Sequence, residues 1–130
     1  MTPTEKDKAE YFEDFQKVAE LLLQIRSCIT EESDTVWTGF DNVETFLEEL
    51  NKDIDNIQLC DFQTLKKVKL HFLPTSVYQE LSLSNGWSEM YMQLATEFDA
   101  IYERLSEQNK MLTNNSTNLK PSLWQKIFGK

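Results

Sequence analysis

WSEMYMQLATEFDAIYERLSEQ, residues Trp87 to Gln108, is the most regular segment of the chain. Its apolar residues Trp87, Met90, Tyr91, Leu94, Ala95, Phe98, Ile101, Tyr102 and Leu105 recur at i, i+3, i+4 and i+7, which sets them on one stripe of an α-helix. Glu89, Gln93, Glu97, Asp99, Glu103 and Glu107 fall between them and turn the opposite face to water. At 1.5 Å per residue such a helix is about 33 Å long, and nothing adjacent in sequence can bury a stripe of that length. Other helices must pack on it.

The chain of 130 residues is one domain by size, able to bury roughly two-thirds of its unfolded surface without staples. A hydrophobic content of 40% with 12% aromatics argues against disorder, and three Gly with three Pro supply little turn chemistry for a many-stranded sheet. The predicted fold is therefore all-α, a single-domain bundle of about five helices over residues 1–110, followed by a flexible C-terminal tail, residues 111–130.

Upstream of the long stretch, Thr2-Pro3-Thr4-Glu5 reads as a helix start, with Thr2 at the N-cap, Pro3 at the first turn and Glu5 completing a capping box. The first helix carries Tyr11, Phe12, Phe15, Val18, Ala19, Leu22, Ile25 and Ile29 on one face, widened by Leu21 and Leu23, so contact from two sides is expected. A polar loop follows and ends in Val36-Trp37-Thr38-Gly39-Phe40. Trp37 and Phe40 either cap the end of the core or form an exposed binding loop, since Trp is enriched at interface hot spots.

Asp41-Asn42-Val43-Glu44 opens a second helix by the same box signature, with Val43, Phe46, Leu47, Leu50, Ile54 and Ile57 on one face. Its other face is expected to hold Glu48, Glu49, Asp53 and Asp55, offset only by Lys52. Asp61 can cap a third helix through Phe72, although Lys67-Val68-Lys69-Leu70-His71-Phe72 also alternates with the period of a strand. With no second strand to complete its hydrogen bonds, residues 66–73 are read as helix. Pro74 stops that segment, Ser76 to Gln79 offers a third capping box, and Asn85-Gly86 supplies a helix end.

Several function classes find little support. Cys28 and Cys60 have no CxxC spacing and His71 is the single histidine, so no metal site is expected and the cysteines read as reduced packing residues. A Gly-rich phosphate loop, a nucleophile elbow and an HExxH pair are all missing, and neither catalytic nor cofactor-binding residues are expected; an enzyme with an unrecognised site is the last alternative. The N-terminus lacks the apolar core of a signal peptide and no run of about 18 apolar residues occurs, so the expected location is cytoplasmic, with no transmembrane segment.

Charge is distributed unevenly. All 22 acidic residues lie at or before Glu107 among nine Lys and Arg, a net of −13, whereas Lys110, Lys120, Lys126 and Lys130 give the last 22 residues +4. Nucleic-acid affinity depends on Lys and Arg, so such a body is not expected to bind nucleic acid directly. A small acidic helical domain suits a basic protein partner instead, as a stoichiometric inhibitor or immunity-type protein whose carboxylates steer association. Candidate contacts are Glu44, Glu48, Glu49, Asp53 and Asp55, the aromatics Trp37 and Phe40, and Glu97, Asp99 and Glu103 on the long helix.

Met111 to Asn118 reads as a polar tether ahead of a short basic amphipathic segment in which Leu123, Trp124, Ile127 and Phe128 share one helical face. That face either docks on the bundle, where its lysines meet acidic surface, or serves as a docking motif that makes the protein a scaffold or adaptor. Homodimerisation through the long helix belongs with the second reading.

Overall fold

The computed structural model describes residues 4–115. Five α-helices follow one another: α1 (Glu5–Ser27), α2 (Val43–Gln58), α3 (Phe62–His71), α4 (Val77–Asn85) and α5 (Ser88–Asn115). A 3-10 turn at Val36–Thr38 lies between the first two. The described residues contain no strand, and the alternating segment from Lys67 to Phe72 belongs to α3 and its cap.

Local chemistry sets where each helix begins. Thr4 Oγ1 accepts from the Asp7 N–H at 3.1 Å while Asp7 Oδ2 accepts from the Thr4 N–H at 2.9 Å, a complete capping box two residues later than the expected cap at Thr2. Thr2 and Pro3 lie outside the described residues. Asn42, rather than Asp41, caps α2 by accepting from the Thr45 N–H at 2.8 Å. Asp61 caps α3, taking the Gln63 N–H at 3.1 Å and the Thr64 hydroxyl at 2.8 Å. At α4 the expected box does not form, because Gln79 Oε1 reaches past Ser76 to accept from the Thr75 N–H at 2.6 Å.

The α4 end does follow Asn85-Gly86. Gly86 has φ +81°, and the next residue, Trp87, donates its N–H to the Ser82 carbonyl at 3.0 Å. A Cβ at Gly86 would meet nothing within 4 Å, so only backbone strain opposes Gly86→Ala. That substitution is expected to cost about 1–2 kcal/mol, read as a lower urea midpoint with an unchanged slope. A cost near zero would show that this turn does not need the left-handed conformation.

The middle of the bundle is α1. It runs antiparallel to α5, since Tyr11 Oη donates to Asn109 Oδ1 at 3.0 Å near one end and Cys28 Sγ lies 3.3 Å from Met90 Sδ at the other. It is also antiparallel to α2, with Gln16 donating to the Gln58 carbonyl and Arg26 to Asn51 Oδ1 at 2.8 Å. Its wide apolar arc, with both Leu21 and Leu22 buried, serves these two neighbours.

The α3–α4 corner is fastened by aromatics. Phe72, one residue past α3, stacks on Phe98 with ring centroids 4.4 Å apart and meets the edge of Tyr78 at 4.9 Å. Tyr91 Oη donates to the Phe72 carbonyl at 2.8 Å, satisfying an acceptor that the end of α3 leaves open.

Reading Met111 onward as a tether is corrected over its first residues. α5 continues to Asn115 because Leu112, two turns beyond Leu105, keeps the stripe going and is 1% exposed. Thr113 returns its hydroxyl to the Asn109 carbonyl at 2.7 Å, so its polar group does not interrupt the helix.

Candidate partner-binding surface

The α1–α2 connection is a short chain of turns closed by its own polar side chains. The Thr30 N–H donates to Ser33 Oγ at 2.9 Å and the Val36 N–H to Asp34 Oδ1 at 2.9 Å. Thr38 Oγ1 donates to the Thr35 carbonyl at 2.6 Å and accepts from the Phe40 N–H at 3.1 Å. Gly39, at φ +86°, turns the chain toward α2. Asn85 at the end of α4 then grips the loop from outside: its Oδ1 accepts from the Asp34 N–H at 2.7 Å and its Nδ2 donates to the Asp34 carbonyl at 2.9 Å.

Trp37 and Phe40 have different fates in this frame. Phe40 is half-buried, its ring edge-on to Phe46 at 5.2 Å, so it closes the top of the core. Trp37 remains 71% exposed and Val36 73% exposed. Isolated apolar residues on a surface are ordinary, but here two adjacent ones are held out by an ordered loop.

An open cleft of about 800 Å³ lies beside them, between the loop and the first turns of α2. Glu31, Asp34, Asp41 and Glu44 line it, with Val36, Val43 and Leu47 as its apolar part. From Ser27 to Asn51 the sequence has seven carboxylates and no Lys or Arg. None of Glu31, Glu32, Asp34, Asp41, Glu44 or Glu48 makes an ion pair among the described residues. A rigid, water-facing concavity of one charge sign favours a cation from outside the chain.

No protein-family model, curated protein or solved structure matches this chain.

The five α2 carboxylates expected to form one contact face divide into two groups. Glu44, Glu48 and Asp55 are exposed, with Glu44 and Glu48 at the cleft end of the helix. Asp53 is corrected: it is 3% exposed and accepts from Lys67 Nζ at 2.9 Å across the α2–α3 contact. It comes three residues after Leu50 and four before Ile57, which is a stripe position. Lys67 also donates to Glu49 Oε2 at 3.0 Å, so Glu49 is occupied as well.

One lysine thus serves two carboxylates in unlike surroundings. Its hydrogen bond and charge hold Glu49 below the usual carboxylate range, whereas burial keeps Asp53 above it despite the same lysine. Burial works against the Lys67 charge, but its hydrogen bonds to Asp53 and Glu49 prevail and hold its pKa above the ordinary value. Burial also lowers His71, which lies with its ring 5.4 Å from that of Tyr78, and leaves it neutral at pH 7. Asp14, likewise buried, takes both Nη2 and Nε of Arg104, at 3.0 and 3.3 Å. These acids hold helices together.

Burial pushes the Cys60 thiol up to about 12, which keeps it protonated and unreactive at neutral pH. Among the described residues no group of three or more His, Cys, Asp or Glu side chains is placed to hold a metal ion, and no helix is long and apolar enough to cross a membrane. Trp124, Ile127 and Phe128 lie outside the described residues. Glu31, Asp34, Asp41 and Val36 were not singled out from sequence, although the run without Lys or Arg from Ser27 to Asn51 marks them.

Proposed function

We propose that this protein is a non-enzymatic binding domain, an acidic helical inhibitor or immunity-type protein that holds a basic protein partner in the cleft between the α1–α2 loop and α2. The observation that carries this reading is the pairing of the uncompensated carboxylates Glu31, Asp34, Asp41 and Glu44 with an exposed Trp37 on a loop already fixed by hydrogen bonds. The carboxylates steer a cationic surface in, and Trp37 supplies an anchor whose burial excludes water. Because the loop is ordered beforehand, little conformational entropy is lost on binding.

Capture from the native cell lysate at low and moderate salt, with wild type, Trp37→Ala and Glu31→Lys/Glu44→Lys chains, tests the reading. A basic protein should be retained by wild type and released as salt rises. Trp37→Ala should weaken retention about 30-fold, the equivalent of a 2 kcal/mol hot spot, while changing stability by less than about 0.5 kcal/mol. Equal retention by all three chains would sink the proposal.

A further inference from the structure

A second groove lies on α5, at the corner where α3 turns toward α4. It has a volume of about 380 Å³ and is lined by Leu73, Pro74 and Tyr102 with a row of carboxylates, Asp99, Glu103 and Glu107, spaced four residues apart. Lys69 is taken up by the face of the Tyr102 ring, 4.6 Å from its centroid, and Lys110 lies 3.7 Å from Glu107. Asp99 and Glu103 make no ion pair among the described residues. Leu73 is 41% exposed, so the groove offers an apolar floor beside an edge where carboxylates outnumber lysines.

We propose that this groove seats the chain's own C-terminal segment, Lys120 to Lys130. Charge is the first argument: the segment carries Lys120, Lys126 and Lys130 and no acid. Reach is the second. Glu107 precedes the last residue of α5 by eight positions, about 12 Å of helical rise, and the five residues from Ser116 to Lys120 can span about 17 Å, enough to turn back and set Lys120 beside Glu107. Composition is the third: Trp124, Ile127 and Phe128 are apolar side chains of the kind that Leu73 and Tyr102 would cover.

A segment tethered this closely is present at millimolar effective concentration, so a modest site fills. The consequence is a division of charge. The tail offsets acid on the α5 face, while the cleft at the Cys28–Met90 end of the bundle keeps its negative charge for a partner.

Amide NMR spectra of the full chain, compared with full-length Trp124→Ser/Phe128→Ser, test this without disturbing the described core. The substitutions should shift amides at Leu73, Asp99, Tyr102, Glu103 and Glu107, equally at high and tenfold lower protein concentration. In a Glu103→Lys background the same tail substitutions should no longer shift them, and about 1 M salt, which screens charge within about 3 Å, should weaken the effect. Unchanged amides along α5, changes confined to residues 31–48, or changes that vanish on dilution, as contact with a second copy would give, each overturn the proposal.

Discussion

Phe98→Ala is expected to cost about 3–5 kcal/mol and to lower the thermal midpoint by roughly 10–20 °C. Phe98 is fully buried and its ring is stacked between Phe72 at 4.4 Å and Tyr102 at 5.7 Å. Phe72 is the residue through which the α3–α4 corner meets α5, so removing the Phe98 ring strips that corner of its main support. The site collapses poorly, because Phe72 is also fixed by Tyr78 and by the Tyr91 bond to its carbonyl. Against a total stability of about 5–15 kcal/mol, this is a loss of about a fifth or more. Calorimetry on the purified variant checks it, and a cost below about 1 kcal/mol would mean that the ring is not part of the core.

Lys67→Met is the second large effect, at about 3 kcal/mol, although the lysine side chain is 42% exposed. The cost falls on Asp53, whose 5% exposed carboxylate loses the one cation bonded to it among the described residues. Glu49 reaches water and loses little.

The pH dependence has a definite sign. Burial already holds the folded Asp53 carboxyl above its ordinary value, and without Lys67 it rises further. The folded chain therefore binds the proton more tightly than the unfolded one, and the penalty is present at neutral pH and shrinks as pH falls through the raised value toward the usual carboxylate range near 4. Urea titrations at several pH values should show wild type and variant converging on the acid side. Lys67→Met combined with Asp53→Leu should recover most of the loss, since replacing a buried pair with apolar groups is often neutral. A penalty independent of pH would place the cost in lost packing instead.

The helices were legible because their stripes are long and their boundaries carry Asn, Asp and Gly. What misled was polarity taken one residue at a time. Asp14 and Asp53 occupy stripe positions, Asp14 three residues after Tyr11 and four before Val18, yet Asp53 was expected on the solvated face and Asp14 was assigned no role. Their hydrogen-bonded partners Arg104 and Lys67 are distant in sequence, and no periodicity links them. The end of α5 was misplaced for the same reason. Thr113, Asn114 and Asn115 are weak helix formers, yet burial of Leu112 outweighs a few tenths of a kcal/mol of propensity. Trp37 and Glu44 were read from the sequence as candidate contacts, whereas the fixing of the loop beside the cleft depends on Asn85, whose reach to Asp34 across 51 residues leaves no trace in composition.

That reach couples two events that would otherwise be independent. Asn85 bonds Asp34 and, through the same amide, the Leu81 carbonyl at 2.8 Å, so one side chain ties the loop to the last turn of α4. Fraying of that turn would carry away the side chain that holds the loop. A molecule gripping the loop would slow hydrogen exchange in a helix it never touches, and damage to that helix would be felt as lost affinity at the cleft.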